Sequence, residues 1–187
     1  MKLIKPVVFL VSLLLLAGCV GSTGSTPNEK RQSVLKMRDD VLTELYKTKP
    51  STRAQINSAP GYAVFSNANV NLIIASFGGG YGVAKNMRTG QDTYMNMGEV
   101  GVGLGIGVKD FRAVFVFHTA EAYNDFIENG WTFGAQADAA AKASKKGAAV
   151  AGEVVVNNVT IYQLTESGLA LQATLKGTKF WKSDELN

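Results

Sequence analysis

The chain has 187 residues, 46% hydrophobic and 18% charged, which suits one domain, being too apolar for disorder and too evenly mixed for a polytopic membrane protein. Nineteen basic against fifteen acidic side chains give a formal net charge of +4, too small an excess to argue for nucleic acid. One cysteine forbids an intramolecular disulfide or a cysteine-based zinc site, and one histidine leaves any Ser/His/Asp triad to His118 alone.

The first residues, Met1-Lys2-Leu3-Ile4-Lys5, are basic, and the apolar run Val7 to Leu16 follows. That run is too short for a permanent span, which needs roughly 20 apolar residues, so it reads as an export signal. Its ending, Leu16-Ala17-Gly18-Cys19, resembles the bacterial lipoprotein signal, in which cleavage precedes a cysteine whose thiol takes up a diacylglycerol. The expected layout is a signal peptide over 1–18, a tether over 19–28 and one domain over 29–187. Losing residues 1–18 removes Lys2 and Lys5 and lowers the formal charge to +2. An acylated Cys19 would hold the chain to a membrane at about 0.8 kcal/mol per buried methylene. Val20, in place of Asp, favours the outer over the inner membrane by resemblance to sorting rules, with the body in the periplasm.

Small polar residues from Val20 to Asn28 suit a flexible tether. Thr26-Pro27-Asn28-Glu29 combines a capping hydroxyl, an early proline and a glutamate three residues after the cap. With Val34, Met37, Val41 and Leu45 spaced by three and four, this predicts a helix from about Pro27 to Lys47.

Gly61 to Val83 reads as two strands with a turn between them, broken by Asn67, Asn69 and Asn71 and by Gly78-Gly79-Gly80. Val100 to Val108 reads as one strand, aliphatic on one face and glycine on the other. Arg112 to His118 is a strand buried on both faces. Thr119 caps a short helix carrying Tyr123, Phe126 and Ile127 and closed by Asn129-Gly130. Trp131 to Ala137 alternates as a strand. Ala139 to Ala151 is open between short helix and loop, and Val154 to Leu164 and Leu169 to Leu175 read as two further strands.

The glycine clusters lack the Gly-x-Gly-x-x-Gly or Lys-Ser/Thr context of phosphate loops, so packing is their reading. His118 is expected to be a hydrogen-bonded structural residue. Glu121 and Asp125 look like the solvated face of their helix, and no acid/base dyad, metal site or cofactor is expected. The basic residues fall into two groups. Lys30 and Arg31 begin the first helix, whose apolar stripe is expected on its own sheet more than on a bilayer. Lys142, Lys145 and Lys146 form a denser cluster that reads as a solvated loop or a contact for anionic head groups.

The order of motifs resembles the SYLF domain family, whose domains bind lipid and are linked in eukaryotes to actin. The resemblance lies in Gly61-Tyr-Ala-Val-Phe65, Gly78-Gly-Gly-Tyr-Gly-Val83, the Gly101 to Gly107 alternation, Val114-Phe-Val-Phe117 with Thr119, Phe133-Gly134-Ala-Gln-Ala137, and Ile161-Tyr162 with Gly168-Leu169. It runs from about residue 30 to 178 and implies a non-catalytic domain that binds lipid head groups, phosphoinositides among them. Actin binding is not inferred for this chain.

The expected fold is α+β: a strand-dominated antiparallel sheet or barrel-like core, an N-terminal amphipathic helix and one or two short helices. The expected function is an envelope-anchored lipoprotein binding phosphoinositide-like or other anionic head groups through Lys142, Lys145 and Lys146, then Lys30 and Arg31. The alternative is an assembly lipoprotein docking an unidentified protein through its glycine-rich face.

Overall fold

The first helix forms where the cap signals place it. A computed structural model describes residues 24–72, 75–101, 107–133, 153–165, 168–169 and 178–187. Cys19 and the segments 1–23, 102–106 and 134–152 lie outside them, and with these the signal, most of the tether, the centre of the glycine alternation and Lys142, Lys145 and Lys146. Helix α1 spans Pro27–Thr48. The Glu29 N–H donates to Thr26 Oγ1 at 3.3 Å, and the Thr26 N–H donates to Glu29 Oε2 at 3.1 Å, a complete capping box. A second helix, α2 (Thr52–Ser58), follows Pro50. It was not evident from the sequence, because seven residues are too few to show helical periodicity.

Among the described residues nine strands form one antiparallel sheet: β1 (Gly61–Leu72), β2 (Ala75–Asn86), β3 (Asp92–Gly101), β4 (Gly107–Phe117), β5 (Trp131–Phe133), β6 (Glu153–Val156), β7 (Val159–Thr165), β8 (Gly168–Leu169) and β9 (Thr178–Lys182). Their order is β5-β9-β3-β2-β1-β4-β7-β6, with β8 against β7. Helix α3 (Ala120–Asn129) joins β4 to β5 between the Thr119 cap and Gly130.

Three sequence expectations are corrected. Gly101 and Gly107 fall on strands that run in opposite directions with β1 and β2 between them, so no single strand extends from Val100 to Val108. Gly78-Gly79-Gly80 does not break a strand: it lies inside β2, paired with Asn69, Ala68 and Asn67. The stretch Val154 to Leu164 is a hairpin turning at Asn157 and Asn158, whose φ values of 47° and 62° are the left-handed pair of a type I′ turn. Asn-Asn between valine-rich runs was the legible signal.

The sheet curls. Phe180 on β9 and Phe115 on β4 are four strand steps apart, ~19 Å if the sheet were flat, yet their ring centroids lie 5.1 Å apart. Trp131, one step further on β5, stands 6.0 Å from the same Phe115. The strands therefore wrap into a half-barrel. Its concave side holds Phe65, Phe115, Phe117, Met95, Met97, Ile161 and Phe180, and α3 lowers Tyr123 and Phe126 into it. The alternation of Val114 and Val116 with Phe115 and Phe117 splits β4 between the two faces, which is why the whole run is buried.

On the convex side α1 and α2 bury Val41, Leu42, Leu45 and Ile56 against Tyr62, Val64, Val114, Val116, Tyr162 and Leu164. Burying a Leu- or Val-sized side chain contributes about 1.5–3 kcal/mol, so this stripe is committed to the chain's own core. Helix α1 packs mainly over β1, β2, β4 and β8.

Candidate functional site

The basic side chains of α1 and its exit are largely engaged within the chain. Lys30 Nζ stands 2.6 Å from Glu185 Oε1. Arg31 Nε donates to the Leu186 carbonyl at 2.8 Å, and its Nη1 to Asn28 Oδ1 at 2.9 Å. Lys36 pairs with Asp40, and Arg38 with Asp39 and, at 3.5 Å, with Asp92. Arg53 stacks over the Tyr46 ring at 4.1 Å and Lys49 over Tyr162 at 5.1 Å. The structure thus places Lys30 and Arg31 together, as clamps on the C-terminal segment. Lys142, Lys145 and Lys146 lie outside the described residues, in the connection between Phe133 and Glu153.

Those two strand ends share their position with others. Leu72, Gly101, Gly107, Thr165 and Thr178 are the points where the other strands leave the described residues, and the pairing register puts all of them, with Phe133 and Glu153, at one end of the half-barrel. The opposite end carries α3, the Asn157-Asn158 turn and the β2–β3 turn.

His118 is exposed just past β4, with Nε2 2.7 Å from Thr160 Oγ1 and its N–H donating to the Asn158 carbonyl at 2.8 Å. It is hydrogen-bonded to the β6–β7 hairpin, as expected of a structural residue. Glu121 and Asp125 are exposed on α3, and Asp125 accepts from Asn129 Nδ2 at 2.7 Å. Among the described residues no three His, Cys, Asp or Glu side chains converge as metal ligands. No described helix is long and apolar enough to cross a membrane.

The described residues form two concavities of note. One of about 60 Å³ is bounded by Trp131, by Asn157 and Val159, and by Phe117, Ala122, Asp125 and Phe126. It lies where the two edges of the curled sheet meet α3. The other, an open cleft of about 390 Å³, runs between the end of α2, the β2–β3 turn and the start of α3, with Arg88 and Asn86 on its rim and Tyr123 at its base. Burial pushes the Tyr123 phenol up to about 12, against a hydrogen bond from Thr93 that lowers it. A phenol held neutral in this way is a structural group, not a base.

The sequence reading missed the convex face of β9, which lies between β5 and β3. Lys179 and Trp181 are exposed there, while Thr178 and Phe180 are buried and Lys182 is exposed at the end of the strand. The alternation in Thr-Lys-Phe-Trp-Lys was the available signal for a strand, and the exposed tryptophan between lysines the signal for a surface.

Comparison with known proteins adds two findings. Residues 98–187 match the family model described as Ysc84, Las17-binding protein actin regulator. A curated relative, "Beta cell expansion factor A" of Aeromonas veronii, is 33% identical over 161 residues, which cover 86% of this chain and 60% of that protein.

Proposed function

From the Ysc84 (SYLF) domain that residues 98–187 carry, we propose that this protein is an envelope lipoprotein whose non-catalytic body binds anionic lipid head groups. The family match carries the reading, because SYLF domains are lipid-binding in eukaryotes. Acylated Cys19 anchors the chain to the outer membrane, and the body stands in the periplasm.

The internal commitments of α1 support a division of labour among the cations. Lys30 and Arg31 would have to leave Glu185 and the Leu186 carbonyl to take a phosphate. Lys142, Lys145 and Lys146, flanked by alanine, serine and glycine, have no bulky neighbours in sequence to keep them from a head-group layer. Near an anionic surface each contributes about 1 kcal/mol.

Sedimentation of residues 24–187 with vesicles of graded phosphatidylglycerol content tests this. Each described core residue lies between Val34 and Leu186, so the shortened chain keeps the described fold. Binding should rise with phosphatidylglycerol and fall with salt. Replacing the three lysines by Gln should weaken it by up to ~150-fold, three contributions of about 1 kcal/mol each. Absence of binding at low salt would overturn the proposal.

A further inference from the structure

We propose that the convex face of β9, formed by Lys179 and Trp181, is the surface that seats on an anionic bilayer. This rests on the lipid-binding reading above and adds where the body touches the membrane and in which orientation.

Among the described residues the exposed large hydrophobic side chains are Val155 and Trp181, the latter 40% exposed. Trp181 is not a loose surface group. Its ring lies along the sheet over Gly98 of β3, where an added Cβ would stand 3.1 Å from Cη2. The missing side chain at position 98 leaves the indole a shelf. Lys179 projects from the same face two residues earlier, opposite Gly98 in register, whereas Lys182, exposed at the end of the strand, is the register partner of the concave-side Met95. Neither lysine makes an ion pair with a described side chain. Helix α1 does not shield this part of the sheet, since it packs chiefly over β1, β2, β4 and β8.

An amphipathic ring held flat beside a cation matches the boundary between head groups and acyl chains. Indole partitions to that depth while lysine stems reach back to the phosphates. The charge excludes a purely apolar occupant, and the ring adds affinity that a simple counter-ion site lacks.

The position of the N-terminus agrees. The first turn of α1 is clamped to the residues just after β9 by Lys30–Glu185 and by Arg31 to the Leu186 carbonyl, and Ser183 is tied to Tyr94 of β3 at 3.0 Å. Gly24, where the described chain begins, is thereby fixed to the segment that follows Trp181. Cys19 stands five residues before Gly24, at most ~18 Å of extended chain. An acyl group there keeps this side of the half-barrel within a short tether of the membrane.

The test uses the full chain in vesicles of phosphatidylethanolamine with phosphatidylglycerol, against phosphatidylcholine alone, and reads tryptophan emission and quenching by lipids brominated on their acyl chains. Trp181→Phe leaves Trp131 as the sole indole, and its far-UV circular dichroism checks the fold. Wild type should shift to shorter wavelength and be quenched in the anionic vesicles only. Trp181→Phe should lose that quenching, and Lys179→Gln should reduce it. Equal quenching of wild type and Trp181→Phe, with salt-sensitive sedimentation of residues 24–187 retained, would overturn this surface and leave the head-group reading standing. If neither quenching nor sedimentation occurs, both fall, and the patch is left to a protein partner.

Discussion

The ring of Phe65 on β1 lies across the backbone of Gly82, its partner in register on β2. A Cβ at position 82 would run into Cδ1 of that ring and into the Val64 carbonyl oxygen, with Cε1 only 2.7 Å away. Space for the ring exists because one strand of the concave face has no side chain there, and Phe180 then closes on Phe65 with centroids 4.6 Å apart. Gly82→Ala should therefore destabilise the fold by about 1–3 kcal/mol through overpacking, read as a lowered urea midpoint. Gly98→Ala, which meets only the outer rim of the exposed Trp181 ring, should cost less.

The capping box at the start of α1 gives a second expectation. Thr26→Ala removes the oxygen that accepts from the Glu29 N–H and should cost about 1 kcal/mol, measurable by chemical denaturation. Hydrogen bonds from the Ser25 and Thr26 N–H groups hold the Glu29 carboxyl below its usual range. A lowered carboxyl stabilises the fold above its unfolded pKa, and the gain disappears as pH falls through the lowered value. Glu29→Gln should thus differ from wild type more at pH 7 than at pH 3.

What could be read in advance depended on how local the signal was. Helices α1 and α3 were legible because Thr26, Pro27, Glu29, Thr119 and Gly130 act on their own neighbours. The β1–β2 pair and β4 were legible from apolar runs. The glycines misled because alternation between Val100 and Val108 reports side-chain size and not chain direction, and only the pairing of Gly101 with Ser76 and Gly107 with Asn71 shows the reversal. The clamp from Lys30 to Glu185 spans 155 positions and has no local signature. Trp181 as a surface residue needed the strand order, since a tryptophan after a phenylalanine reads equally well as core.

Alkaline pH should expose the buried phenols. Burial holds Tyr62 and Tyr123 at about 12, against ~10 for an unfolded tyrosine. Below pH 10 both states keep these protons and the stabilisation is complete. Between about 10 and 12 the unfolded chain releases them first, so stability should fall by on the order of 1 kcal/mol per pH unit for each phenol. Absorbance at 295 nm should show Tyr62 and Tyr123 ionising late, together with unfolding.

Cys19→Ser tests the anchor. The substituted chain should be recovered in the soluble fraction or as an unprocessed precursor. Recovery in the membrane fraction at wild-type abundance, with cleavage after Gly18, would rule out acylation as the means of attachment.

The hydrogen bonds that dock α1 onto the C-terminal segment also set an order of events. Lys30 and Arg31 reach partners 155 residues away, and β9 enters the sheet beside β3, more than 75 positions upstream. Closing such distances costs chain entropy before any contact repays it, which places these steps late and folding in the slow, millisecond-to-second regime of non-local sheets. A chain still being synthesised can form the β1–β2 hairpin and lay its first helix over it, but the start of that helix stays unclamped and the half-barrel open until β9 and the residues after it have emerged.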